Sequence, residues 1–119
     1  MIIYSFVARG SLVLAEYTAH DGDFPEIARK IISKATKSRL KTSYIKENYS
    51  FTFFSDDEFT FLVMTEISTT KSKSYAFLDE LANTFYNDYG KTNSSNWNAE
   101  FTLKIKELMV SFISIYKMN

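Results

Sequence analysis

Residues 2–17 read IIYSFVARGSLVLAEY, two apolar runs folded about Arg9-Gly10-Ser11. In the first run Ile2, Tyr4, Phe6 and Ala8 occupy one parity and Ile3 and Val7 the other. A half-buried strand alternates apolar and polar side chains, whereas a strand apolar on both parities is covered on both faces. The stretch therefore predicts a central strand over 2–8, a turn at Gly10, and a returning strand over Leu12 to Tyr17. It also predicts a sheet sandwiched between helices, with the chain starting inside its core.

The rest of the chain extends that layout. After His20-Asp21-Gly22, Asp23 and Glu26 have capping-box spacing, and Pro25 suits a first helical turn because its missing N–H has no partner there anyway. Phe24, Ile27, Ala28, Ile31 and Ala35 follow along one helical face. Lys34 and Lys37 sit near the end of that helix, where its dipole favours cations. From Lys41 to Glu66 the period becomes two: TSYIK, YSFTFF and FTFLVMTE, separated by Glu47-Asn48 and Ser55-Asp56-Asp57-Glu58, predict a three-stranded meander. Leu78, Leu81, Ala82, Phe85 and Tyr89 stripe a second helix that Gly90 ends. Residues 91–97 (KTNSSNW) read as a polar loop, and Phe101, Ile105, Leu108, Phe112 and Ile115 stripe a third helix. The order is ββαβββαα, a single α+β domain over 1–119 with a five-stranded, largely antiparallel sheet and helices on both faces.

Composition agrees with one folded domain and excludes several functions. Of 119 residues, 45% are hydrophobic and 17% aromatic, with 3 Gly and 1 Pro, so a real core is available and disorder is not expected. The 14 basic and 14 acidic residues cancel, which leaves no whole-molecule field for nucleic acid or an anionic membrane. There is no cysteine, hence no disulfide, thiolate metal site or thiol nucleophile. No basic segment precedes Ile2, so no signal peptide is expected. The stretch LMVSFISIY (108–116) is about half of what a membrane span needs, and the sequence predicts a soluble chain.

The search for chemistry returns no catalytic set. His20, the one histidine, lies in a loop beside Asp21 and Asp23, too few ligands for a metal site. Asp56-Asp57-Glu58 lacks the spaced oxygen ligands and central glycine of a calcium loop and reads as a charged hairpin turn. No phosphate-cradling glycine loop and no G-x-S-x-G nucleophile turn occurs. The sequence therefore predicts no enzyme, no metal and no cofactor. Lys30, Lys34, Lys37, Arg39 and Lys41 cluster around the end of the first helix, either as a patch for anionic partners or as a solvated face. Tyr44, Tyr49, Phe51, Phe53, Phe59 and Phe61 allow a base-stacking sheet, but the apolar alternate positions Leu62 and Met64 favour core packing.

Beyond these patterns, IIYSFVARG followed by LVLAEY, then GDFPEIARKI, the Tyr44 strand, Asn48-Tyr49-x-Phe51, FTFLVMTE and AFLDELANTFYNDYG closely resemble the longin domain at the N-terminus of vesicle R-SNAREs. The vesicle-associated membrane protein branch is most similar, and the likeness runs over about residues 2 to 116. It implies a profilin-like longin fold, with helix one on one face of the sheet and helices two and three on the other. It implies a regulatory domain in vesicle trafficking, membrane fusion and exocytosis, without catalysis, on the cytoplasmic face of vesicle or endosomal membranes. Its partners would be the SNARE motif of the parent protein and trafficking adaptors, with membrane association only through a C-terminal anchor that this chain lacks. By position, the partner groove would be lined by Ile27, Ile31 and Ile32 on the helix and by Thr42 and Tyr44 on the third strand. Members often carry Leu-x-Tyr in that strand, where this chain has Thr42-Ser43-Tyr44, so the resemblance implies a weaker groove or a different partner. The chain is expected to be part of a longer protein; the alternative is a stand-alone longin-type subunit of a coat, tether or exchange-factor complex.

One further surface follows from the residues alone. On the third helix Leu103 and Val110 fall nearly opposite the core stripe, seven residues apart on one line, with Ile113 at the margin. Either they are ordinary exposed apolar residues or they form a small seam for a partner.

Overall fold

The computed structural model describes residues 2–34, 39–89 and 97–117, apart from the side chains of Lys34 and of residues 113–117. The sheet is built from β1 (Ile2–Arg9), β2 (Leu12–Thr18), β3 (Thr42–Lys46), β4 (Tyr49–Ser55) and β5 (Phe59–Glu66). The helices are α1 (Phe24–Lys34), α2 (Lys71–Asp88) and α3 (Trp97–Lys117). The element order is the expected ββαβββαα. Strands run β2-β1-β5-β4-β3, all antiparallel. Hairpin and meander are joined by β1 pairing with β5, which puts Val7 opposite Phe61 and Ser5 opposite Val63.

Every β1 residue from Ile2 to Ala8 is buried, as its two-sided apolar pattern predicts. The division between faces differs from strict alternation, however. Ile2 packs with Val7, and Ile3 packs with Tyr4, Phe6 and Ala8. The cause is an irregularity in the β1–β5 register between Ile2 and Tyr4; an extra residue in one strand turns the side chains before it to the opposite face.

Two cores result, one on each face. Under α1 lie Tyr4, Phe6, Phe51, Phe53, Leu62 and Met64 with Ala28 of the helix. On the other face Val7, Phe59, Phe61 and Val63 meet Phe77, Leu81 and Phe85 of α2 and Phe101, Ile105, Met109 and Phe112 of α3. Phe51, Phe53, Phe59 and Phe61 are thus divided between two covered faces and form core instead of a stacking platform, with Tyr49 packed against it and Tyr44 exposed.

Three details of the helical half depart from expectation. Met109 is buried where the stripe named Leu108, which is half-buried against the same cluster. Because α3 packs on β1, β2 and α2 together, its buried face is wider than a single line of side chains. Trp97 opens α3 instead of closing a loop, and its ring stacks on Phe101 at 5.3 Å. Tyr89 follows α2, partly exposed, with its ring stacked on Phe85 at 4.8 Å. Thr70 caps α2, accepting the Lys73 N–H, the expected work of an N-cap hydroxyl. Ala35, Lys37 and Gly90 and the side chains of Lys34, Ile113 and Ile115 lie outside the described residues. Among the described residues no helix is long and apolar enough to cross a membrane.

Candidate functional site

The residues that the sequence assigns to a partner groove are placed as follows. The register sets Thr42 opposite Phe53 and Tyr44 opposite Phe51, so both point to the α1 side. Tyr44 lies flat on Phe53, centroids 6.0 Å apart and planes 5° from parallel, and keeps 46% of its surface exposed. Thr42 is half-buried, its hydroxyl donating to the Leu40 carbonyl at 3.2 Å. Ile27, Ile31 and Ile32 are half-buried against the cluster that contains Phe53. Ile27, Ile31 and Ile32 thus pack on the cluster that holds Phe53, and Tyr44 stacks on Phe53 from the strand side.

How α1 is held decides what this face offers. Ala28, the one fully buried side chain of α1 among the described residues, lets the helix backbone approach the sheet closely. A polar clamp adds to it. The buried Tyr4 hydroxyl donates to Glu16 Oε2 at 2.9 Å, and Arg29 donates to the same oxygen at 2.9 Å. Burial pushes the Tyr4 phenol well above its ordinary range, and the Glu16 charge and hydrogen bond act in the same direction against the opposing Arg29 charge. Beyond Ile32, helix and sheet enclose an open cavity of about 500 Å³. Phe6, Val13 and Phe53 form its floor, and Arg29, Ile32 and Ser33 its helical wall. Neither clamp nor cavity was legible in the sequence, because Glu16 and Arg29 come together only when α1 crosses the first hairpin.

The other candidates resolve into local structure. Asp56 accepts the N–H groups of Glu58 and Phe59 at 2.7 and 2.5 Å, Asp57 pairs with Arg39, and Glu58 pairs with Arg9 at 2.6 Å. The acidic run is a hairpin turn. His20 lies in a second shallow cavity with Asp21, Phe24, Tyr49 and Glu66, and among the described residues no group of three or more His, Asp or Glu is placed to hold a metal ion. Within the basic cluster, Lys30 pairs with Glu26 at 3.6 Å and Lys41 with Asp79 at 2.9 Å. Lys41 also lies over the rings of Phe54 and Tyr75 at 5.4 and 5.5 Å. With Arg39 on Asp57, the described members of the cluster are neutralised locally. Leu103 and Val110 are 58% and 55% exposed on α3; the Ile113 side chain lies outside the described residues.

Comparison with known proteins adds a family. The model of the Longin family, described as a regulated-SNARE-like domain, matches residues 14–109. Vesicle-associated membrane protein 7B of Dictyostelium discoideum is 38% identical over 112 residues, covering 91% of this chain and 43% of that protein. In Arabidopsis thaliana, putative vesicle-associated membrane protein 726 and vesicle-associated membrane protein 724 are 35% and 37% identical over 113 residues. These alignments cover 91% and 90% of this chain and 51% of each relative. The chain thus spans about half the length of the curated relatives it matches.

Proposed function

We infer the function from one premise: the chain belongs to the Longin family of regulated-SNARE-like domains. It is the N-terminal regulatory domain of an R-SNARE in vesicle trafficking and membrane fusion, working at the cytoplasmic face of vesicle or endosomal membranes. It folds back on the SNARE motif and binds sorting adaptors through the groove of Ile27, Ile31, Ile32, Thr42 and Tyr44, and it performs no catalysis. The observation that carries this reading is Tyr44. An aromatic ring seated on Phe53 and open on its outer side offers large, rigid contact area at little entropic cost.

Weak contacts suffice when the partner is tethered. An effective concentration on the order of a millimolar leaves a groove with a Kd of roughly 50 μM about 95% closed. Tyr44→Ala is expected to weaken binding of a synthetic R-SNARE-motif peptide by about 1 to 3 kcal/mol, roughly a 5- to 150-fold rise in Kd. The fold should survive, because nearly half of the side chain already faces water. Titration calorimetry of wild type and variant checks this, and equal affinities would remove Tyr44 from the site.

The α3 line of Leu103 and Val110, both exposed, is a second contact surface for an adaptor. Leu103→Ser with Val110→Ser is expected to reduce adaptor capture while moving the melting temperature by no more than about 2 °C, since exposed positions contribute little to stability. A large fall in melting temperature would place both residues in packing contacts instead.

A further inference from the structure

The cavity beneath the C-terminal half of α1 carries chemistry that the partner groove does not use. We propose that it binds a small single-chain amphiphile, an alkyl chain ending in a carboxylate. The cavity shares Ile32 with the groove, but neither Thr42 nor Tyr44 lines it, so Tyr44→Ala tests the groove and leaves the cavity lining intact. Volume is the first argument. About 500 Å³ lies within the range of small-molecule sites, whereas one side chain inserted by a partner protein would leave much of the floor without contacts. The lining is the second. Phe6, Val13, Ile32 and Phe53 are apolar, and each methylene they remove from water should tighten binding about four-fold.

The head group is set by Arg29, the one charged side chain among the described lining residues. Its Nη2 donates to Glu16, but a guanidinium has five donors in a planar fork, so the others remain for a carboxylate. Glu16 does not line the cavity, and its Oε2 already accepts from both Tyr4 and Arg29. A chain ending in an ammonium would find no carboxylate among the described lining residues. A two-chain phospholipid exceeds the volume, so the ligand is a free carboxylate and not a membrane headgroup.

The test is a methyl and amide NMR titration with dodecanoate, octanoate and dodecyltrimethylammonium, each below its micelle concentration. Dodecanoate is expected to shift Val13 and Ile32, to bind about ten-fold tighter than the ammonium, and to bind more than ten-fold tighter than octanoate. Arg29→Gln should equalise the two head groups while the Val13 and Ile32 shifts persist, a readout that a merely loosened α1 would not give. Ser33→Trp, at the cavity wall, should abolish the shifts. No shift at Val13 and Ile32, equal affinities for the two head groups in the wild type, or an unchanged head-group preference in Arg29→Gln would each overturn the proposal. So would Arg29-dependent sedimentation with vesicles of phosphatidylcholine and phosphatidylserine, which would assign the site to a membrane.

Discussion

Phe85→Ala lowers the unfolding free energy by about 4 kcal/mol, within the range for deleting a buried phenylalanine. Phe85 is fully buried at the point where β5, α2 and α3 converge. Its ring meets Phe59 at 4.8 Å, Phe61 at 5.6 Å, Tyr89 at 4.8 Å, Trp97 at 5.8 Å and Phe101 at 5.6 Å. Neighbours drawn from three elements cannot all move inward, so the space left by truncation stays largely open and the upper part of the range applies. Against a typical total of 5–15 kcal/mol, such a loss leaves the domain marginal. Urea unfolding followed through Trp97, the sole tryptophan, measures it directly. Phe85→Leu should lose about half as much. A loss below about 1.5 kcal/mol for the alanine variant would mean that the cluster collapses around the gap.

Alkaline stability should be governed by Tyr4. Its phenol is kept neutral in the fold first by burial and then by the Glu16 carboxylate, whereas in the unfolded chain it ionises near pH 10. Above that pH the unfolded state binds fewer protons than the folded one. The stabilisation is therefore fully present below about pH 10 and is lost as pH rises toward the raised folded value, by about 1.4 kcal/mol per pH unit. Tyr4→Phe should be about 1 kcal/mol less stable than wild type at pH 7, having lost the hydrogen bond to Glu16, and should lack this alkaline slope. Urea midpoints measured from pH 8 to 11 on both proteins decide the matter; parallel curves would refute it.

How far such features can be read in advance depends on whether they are local. The β1 hairpin, the β3–β5 meander and the three helical stripes were legible, because each rests on a period set by neighbours within one element. The Ile2/Ile3 division was not, because an irregularity in pairing depends on β5, far along the chain. Trp97 had a usable signal: it stands four residues before Phe101, on the extension of the α3 core line, but lies at the end of the polar KTNSSN run. The proposed groove residues were named only through family resemblance. From periodicity alone, Ile27 and Ile31 are ordinary core positions, and the stacking of Tyr44 on Phe53 requires the strand register. Arg29 and Glu16 lie 13 residues apart on different elements, and no local pattern announces that one carboxylate joins them to Tyr4.

The strand order has a consequence for synthesis. β1 leaves the ribosome well before β5, yet one of its two hydrogen-bonding edges waits for β5. Ser5 donates to the Leu62 carbonyl 57 residues later. At roughly 5–20 residues per second, β1 spends about 3 to 10 s with β2 as its only strand partner. Throughout that interval an apolar strand with an open edge is available to chaperones or to neighbouring nascent chains. The sheet cannot close until Glu66 has emerged, so any translation pause before its emergence would prolong the exposure, whereas later pauses would not.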